Sequence, residues 1–276
     1  MLRFAVVGNP VSHSKSPLIH SLFATQTGKQ LQYTREEVAL DGFDGFVREF
    51  FELGGTGLNV TVPFKEQAFA LAGECSDRAR LARAVNTLYL THEDRLCGDN
   101  TDGIGLIRDL RDNNNIAIGG KRVLVIGAGG AVRGALGTLA EEAPESITLV
   151  NRTLGRAQML QQEFSNLARI RVHEFADALD GPYDLVINGT STGLQGEAPA
   201  ISAAAIGPLT CCYDMMYGNE DTPFMSWARQ QGASLVLDGL GMLVEQAAES
   251  FSIWLHVTPD TASVIDQVRS SLGRAT

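Results

Sequence analysis

Runs of basic residues, Cys-x-x-Cys pairs and long apolar stretches are all missing from this chain of 276 residues. Each absence removes a class of function. A net charge of −10 leaves no broad cationic surface to displace counterions from a nucleic acid. A phosphate-bearing cofactor needs only a local cluster and stays open. The four cysteines, Cys75, Cys97, Cys211 and Cys212, form no ligand-like spacing, so reduced structural thiols are expected and no metal. No apolar run reaches the ~18 residues of a membrane span. The opening "MLRFAVVGNP" reads as a short strand entering a turn and is too brief for a signal peptide. The expectation is a cytoplasmic protein.

What is present is ordinary in bulk, 44% hydrophobic and 20% charged, over a length that predicts two domains. Residues 1 to about 101 alternate short strands ("RFAVVG", "LQYTREEV", "GLNVTV", "AVNTLYL") with helical stretches near 17–28, 42–53, 65–72 and 76–83. The polar segment "RDNNNIAIGGKR", 111–122, reads as a connection between domains. Six strand-like segments follow at helix-plus-strand spacing: "RVLVIG", "SITLVN", "IRVHEF", "DLVING", "TCCYDM" and "SLVLDG". Several are apolar throughout, which suits a parallel sheet covered on both faces and makes a doubly wound, Rossmann-like sheet the predicted fold. The final segment "GLGMLVEQAAESFSIWLH" has helical period, with Met242, Leu243, Gln246, Ser250 and Ile253 on one face. Periodicity does not decide whether this helix caps the second sheet or returns to the first domain.

"VLVIGAGGAVRGA" is a buried strand followed by Gly127, Ala128, Gly129, Gly130 and Ala131, then a helix of small residues. Such a turn brings backbone amides and a helix N-terminus up to a pyrophosphate. The third glycine of the usual pattern is replaced by Val132. After the next strand, where a carboxylate would bind a ribose 2′-hydroxyl, the chain has Asn151, with Arg152 and Arg156 flanking Thr153. Forked, charge-assisted donors there suit a 2′-phosphate, so NADP is preferred over NAD.

Several polar residues of the first domain look out of place. In "GLNVTVPFKEQA", Leu58, Val60 and Val62 are expected on one side of a strand, with Asn59 and Thr61 on the other. Lys65 then falls in the first turn of a helix, where the macrodipole disfavours a cation. A neighbouring carboxylate would favour that charge again, and opposed influences of this kind tune acid–base groups. Asp102, before a helix starting near Gly103, has the ordinary reading of an N-cap. Asn100 and Thr101 compete for that task and leave a carboxylate to explain. Ser16 reads as an N-cap ahead of Pro17, and with Ser14 it could equally hydrogen-bond a polar ligand. Asn86 sits at the entry to a strand, and Gln246 lies on an otherwise apolar helix face and needs partners.

Taken in order, "SHSKSPLIH", "NVTVPFKE", "AVNTL", "GDNTDGIGL", "GAGGA", "NRTxxRA", "NGTSTG" and "GxxMLVEQA" resemble the signature of bacterial shikimate dehydrogenases over residues 12–247. The resemblance implies NADPH-dependent reduction of 3-dehydroshikimate to shikimate in aromatic amino-acid biosynthesis. It implies a discontinuous α/β substrate domain, residues 1–101 plus 240–276, around an NADP-binding domain of residues 102–239. By motif it implies Lys65 and Asp102 as the catalytic pair, and Ser14, Ser16, Asn59, Thr61, Asn86, Tyr217 and Gln246 as substrate contacts. It implies the 127–131 turn, residues Asn151, Arg152, Thr153 and Arg156, and Met215 and Gly239 on the cofactor side. Asp77 is sometimes near the cofactor in such enzymes, and the resemblance implies a small-molecule substrate and a monomer or homodimer. Two rivals remain: a quinate/shikimate dehydrogenase accepting NAD, for which an acidic residue after the second strand is expected, and a catalytically silent sensor.

Overall fold

The computed structural model describes residues 1–273 apart from 176 and 178, with the side chains at 194 and 195 also left aside. Two compact units emerge, each with its own sheet. The first comprises Met1–Gly105 and Leu243–Ser271, and the second Leu106–Met242 with Leu272 and Gly273.

In the first unit the chain runs β1 (Leu2–Gly8), α1 (Ser16–Thr27), β2 (Leu31–Glu37), α2 (Phe43–Glu52), β3 (Gly57–Val60), α3 (Lys65–Leu71) and β4 (Glu74–Cys75). It continues through α4 (Asp77–Ala82), β5 (Thr87–Leu90), β6 (Leu96–Asp99) and the start of α5 (Asp102–Arg108). The sheet has the order β2-β1-β3-β5-β6-β4. β1 pairs parallel with β2 and β3, and β5 pairs antiparallel with β3 and β6. The alternation in "GLNVTV" does not continue to its end. Leu58 and Val60 are buried, but β3 stops at Val60 and Val62 is 63% exposed where the chain turns. The two short strands β4 and β6 carry no long apolar run, which is why periodicity did not reveal them.

The second unit opens with the rest of α5 and a π-helical turn (Asp109–Asn113), followed by β7 (Arg122–Ile126), α6 (Gly130–Glu141), β8 (Ser146–Val150), α7 (Leu154–Glu163) and β9 (Ile170–His173). Then come β10 (Leu185–Asn188), β11 (Cys211–Asp214), α8 (Pro223–Gln230), β12 (Leu235–Leu237) and the first residues of α9 (Leu240–Leu255). All six strands are parallel in the order β12-β11-β10-β7-β8-β9, the doubly wound arrangement. Its apolar strands are buried because helices cover both faces. The segment 111–122 lies inside this unit, and the boundary falls within α5 between Gly105 and Leu106. A polar, glycine-containing stretch is also what a helix-to-strand connection requires, so composition did not distinguish the two.

From Leu243 onward α9 belongs to the first unit, as does α10 (Ala262–Ser271). Its buried face is Val244, Ala247, Ala248 and Phe251. Trp254 stacks on Phe4 at 4.8 Å and donates its Nε1–H to the Leu88 carbonyl at 3.2 Å. Ser250 of α9 is fully buried with that face, and half-buried Gln246 borders it. No described helix is long and apolar enough to cross a membrane.

Candidate active site

Three chain segments converge in the first unit because backbone hydrogen bonds tie their ends together. Val60 N–H donates to the Asn86 carbonyl at 2.8 Å, Asn86 N–H to Asp99 at 3.0 Å, and Val85 N–H to Lys65 at 2.9 Å. Lys65 is the first residue of α3, preceded by Phe64, which provides no side-chain cap. Asp102 is the first residue of α5 rather than its cap. The Asn100 carboxamide oxygen accepts the Asp102 N–H at 3.1 Å, which frees the Asp102 carboxylate.

That carboxylate is fully engaged. Lys65 Nζ donates to Asp102 Oδ2 at 2.5 Å, and Asn86 Nδ2 donates to Oδ1 at 2.8 Å. Side-chain exposures of 19% for Lys65 and 9% for Asp102 keep the pair shielded while leaving the lysine reachable. Asn86 also donates toward Thr101 Oγ1 at 2.9 Å and Gln246 Oε1 at 3.4 Å, and its Oδ1 accepts the Thr101 N–H at 3.0 Å. Gln246 thus has protein partners, including the Leu243 carbonyl, to which its Nε2 donates at 2.8 Å. Ser250 and Thr87 complete the network at 2.8 Å from each other. Neither was expected at the site from sequence, although Ser250 was placed on one helix face with Gln246. For Ser250 the available signal was its position four residues after Gln246, on the same face of one helix.

Asn59 is 6% exposed and already saturated. It accepts from the Tyr33 hydroxyl at 2.6 Å and donates to the Asn86 carbonyl at 3.2 Å and to Ser250 Oγ at 3.0 Å. Thr61 lies just past β3, half-buried, its N–H bonded to the Val7 carbonyl at 2.9 Å. Ser16 does not cap α1. Lys15 occupies the cap without a side-chain bond, and Ser14 Oγ both accepts the Ser16 N–H at 3.3 Å and donates to Ser16 Oγ at 3.1 Å. The two serine hydroxyls therefore stand together at the N-terminus of α1, with Ser14 satisfying its first amide. Tyr33 links them to Asn59, and its hydroxyl is pushed up by burial, an effect opposed by its bond to Ser16. Asp77 is exposed in the first turn of α4 and pairs with Arg80 at 2.6 Å.

In the second unit the glycine turn lies where the strand order reverses, between β7 and β10. Gly127 has φ +109°, a conformation costly for any other residue, and a Cβ there would lie 3.2 Å from the Gly189 carbonyl oxygen. Above Gly129 and Gly130 a Cβ would meet nothing within 4 Å. The N-terminus of α6 has no side-chain cap, so its amides are available. Val132, in place of the third glycine, is buried against the end of β10, where a Cβ on Gly189 would run into Val132 Cγ2. Close helix–strand packing is therefore kept, with the glycine moved to the strand. After β8, Asn151 Nδ2 donates to the Thr153 carbonyl at 2.8 Å and shapes the loop, while Arg152, Thr153 and Arg156 are exposed. The residues present fit a dinucleotide with an additional phosphate: an open amide cradle at a helix N-terminus, and two exposed guanidinium groups one strand away.

Met215 and Tyr217 are half-buried just after β11, and burial pushes the Tyr217 hydroxyl up. Asp214 at that strand end accepts from Asn188 Nδ2 at 3.0 Å and from the Met216 N–H at 3.1 Å. Gly239 N–H donates to the Met216 carbonyl at 3.0 Å. No group of three potential ligands among the described residues is placed to hold a metal ion.

Comparison with known proteins agrees with this arrangement along the chain. Residues 6–88 match the model of the shikimate dehydrogenase substrate binding domain, 110–196 that of shikimate / quinate 5-dehydrogenase, and 239–269 that of the shikimate 5'-dehydrogenase C-terminal domain. The shikimate dehydrogenase (NADP(+)) of Alkalilimnicola ehrlichii is 55% identical over 267 residues, covering 97% of this chain and 98% of that protein. Among solved structures, an Ael1 enzyme from Pseudomonas putida aligns with a TM-score of 0.92 at 42% identity, covering 97% of this chain and 98% of its own. Shikimate 5-dehydrogenase from Thermus thermophilus, solved with NADP(H) and shikimate, aligns with a TM-score of 0.88 at 32% identity, covering 99% and 100%. Matched nearly end to end, with the lysine–aspartate pair in the first unit and the glycine turn in the second, the chain belongs to the shikimate dehydrogenase family.

Proposed function

We propose that this protein is an NADP-dependent shikimate dehydrogenase, reversibly reducing the ketone of 3-dehydroshikimate to the secondary alcohol of shikimate. The observation that carries the reading is the Lys65–Asp102 pair held by Asn86 among hydroxyl and carboxamide groups. The first unit acts as the substrate-binding catalytic domain, and the second as the NADP-binding domain.

The amides of the Gly127–Ala131 turn and the N-terminus of α6 would hold the pyrophosphate, and Arg152, Thr153 and Arg156 the 2′-phosphate. Met215 and Gly239 would lie by the nicotinamide. Bound there, the reduced nicotinamide supplies the hydride that the ketone carbon needs. The protein supplies the other half. Lys65, donor-only as an ammonium, hydrogen-bonds the ketone oxygen and delivers its proton as negative charge develops there. Asp102 fixes the lysine's direction through Oδ2 and is itself fixed by Asn86 through Oδ1. The resulting neutral amine regains a proton from solvent, so one proton and one hydride are consumed per alcohol formed. Ser14 and Ser16, at the N-terminus of α1, bind the substrate carboxylate through their hydroxyls. Thr61, Asn86, Tyr217 and Gln246 bind ring hydroxyls, while Asn59 acts by holding Tyr33 and Ser250 in place.

The test is spectrophotometric. Purified protein with shikimate and NADP⁺ should produce reduced-nicotinamide absorbance, and quinate with NAD⁺ should be turned over far more slowly. A preference for quinate and NAD⁺ would replace the cofactor reading. Binding without turnover in either pair would indicate a sensor.

A further inference from the structure

A second charged cluster joins α4, β6 and α9. Arg78, in α4, chelates Asp99 with Nε to Oδ1 at 2.7 Å and Nη2 to Oδ2 at 2.8 Å, and Nη2 also reaches Glu249 Oε1 of α9 at 2.9 Å. Side-chain exposures are 25% for Arg78, 9% for Asp99 and 16% for Glu249. Ser76 Oγ donates to Asp99 Oδ1 at 2.5 Å, and the Asn100 N–H donates to the same atom at 2.7 Å. Burial works against the guanidinium charge, but the bonds to Asp99 and Glu249 outweigh it and raise the group above its ordinary value.

The two carboxylates belong to the two segments that carry the candidate site. Asp99 ends β6 and fixes Asn100, whose side chain holds the Asp102 N–H at 3.1 Å and the Ala84 carbonyl at 3.0 Å. Asp99 also accepts the Asn86 N–H through its carbonyl at 3.0 Å. Glu249 lies on α9 next to Ser250 and one turn beyond Gln246. A planar fork can hold both carboxylates at set angles, which a point charge cannot.

We infer that Arg78 is a positioning residue for the reaction proposed above, clamping the Asp99–Asp102 loop and helix α9 together so that Asp102 and Gln246 keep their mutual geometry. The inference rests on that functional reading. Its two arms predict separable kinetics. Removing the fork displaces Asp102 and Gln246 together. Removing Glu249 releases only the helix arm.

Steady-state kinetics with shikimate and NADP⁺ should show Arg78→Met losing about ten- to hundred-fold in kcat/KM, with kcat lowered and the shikimate KM raised. The Kd for NADP⁺, read by fluorescence titration, should equal the wild-type value. Arg78→Lys should recover thermal stability through its charge while kcat/KM stays depressed. Glu249→Gln should raise the shikimate KM several-fold with a smaller change in kcat, and it provides the test should Arg78→Met not fold. Wild-type kinetics in folded Arg78→Met, full kinetic rescue by Lys, or an unaltered KM in Glu249→Gln would each overturn the clamp. An active wild-type enzyme indifferent to these changes sinks only this inference. A wild-type protein that does not oxidise shikimate with NADP⁺ sinks the functional reading and the inference with it.

Discussion

The Lys65 ammonium and the Asp102 carboxylate meet at 2.5 Å, although 37 residues separate them in the chain. Each begins a helix, at Lys65 for α3 and Asp102 for α5. The aspartate is thus at the end of a helix that suits an anion, and the lysine at the end that does not suit a cation. The carboxylate compensates the misplaced charge. Lys65→Ala should lower kcat by about 10²–10⁴-fold with a smaller change in shikimate KM, as expected for a group acting mainly in the transition state. Asp102→Asn should lower kcat as well, and the double variant should lose little beyond the worse single one. Unchanged turnover in Lys65→Ala would remove the lysine from the mechanism.

On the cofactor side, Arg152→Ala and Arg156→Ala should each weaken NADP⁺ binding by about 1.5–3 kcal/mol, the range for a hydrogen bond to a charged group, and leave NAD⁺ nearly unaffected. Isothermal titration with both nucleotides checks this, and the NADP⁺ affinity should fall as salt is raised. Equal losses for the two nucleotides would place the guanidinium groups elsewhere than on the 2′-phosphate.

His20 is 1% exposed and packs in an aromatic nest, stacked on Tyr33 at 4.3 Å. Burial lowers its pKa from 6.5 to about 3. The nearby Asn59 carboxamide opposes the shift in part, though neither ring nitrogen completes a hydrogen bond with any described residue. Above pH 6.5 the imidazole is neutral folded or unfolded and contributes no pH dependence. As pH falls from 6.5 toward about 3, the unfolded chain takes up a proton that the folded one refuses. Stability should then drop by up to about 1.4 kcal/mol per pH unit. His20→Phe should flatten that acid limb, measured as urea midpoints at pH 7 and pH 5. Equal slopes in the two proteins would contradict the assignment.

Gly189 and Val132 form a matched pair, since a Cβ at 189 would occupy the space of Val132 Cγ2. Gly189→Ala should destabilise the second unit by about 1–3 kcal/mol through overpacking. Adding Val132→Ala should restore part of that loss, a coupling that a thermodynamic cycle would detect. Additive effects would mean the two positions do not share the space.

Much of this was legible residue by residue. The six strand-like segments from "RVLVIG" to "SLVLDG" became β7 to β12, and the inner ones, β7, β8, β10 and β11, are the buried runs that composition declares. Lys65 stood out because it opposes a local electrostatic rule, and a locally disfavoured residue is a signal that survives without a structure. Ser16 and Asp102 were harder, since each had a sound reading as a helix cap. Only the folded chain shows Lys15 at the cap of α1 and Asn100 accepting the first N–H of α5, which leaves the serine hydroxyls and the carboxylate for other partners. Arg78, Asp99 and Glu249 gave no signal, because charged residues at such positions read as solvated surface until the fold brings them together.

Short segments of the chain were enough to specify the doubly wound sheet, the phosphate-ready glycine turn, the arginine loop and the identity of the groups able to move a proton. Those features depend on local backbone preference and on residue chemistry, and neither needs a distant partner. Folding in three dimensions was required to establish that Lys65 meets Asp102, that α9 brings Gln246 to Asn86 and Ser250 to Thr87, and that Asn59 is spent inside the protein. Contacts between residues far apart in the chain depend on how strands pair and helices pack, and no periodicity within one segment records them.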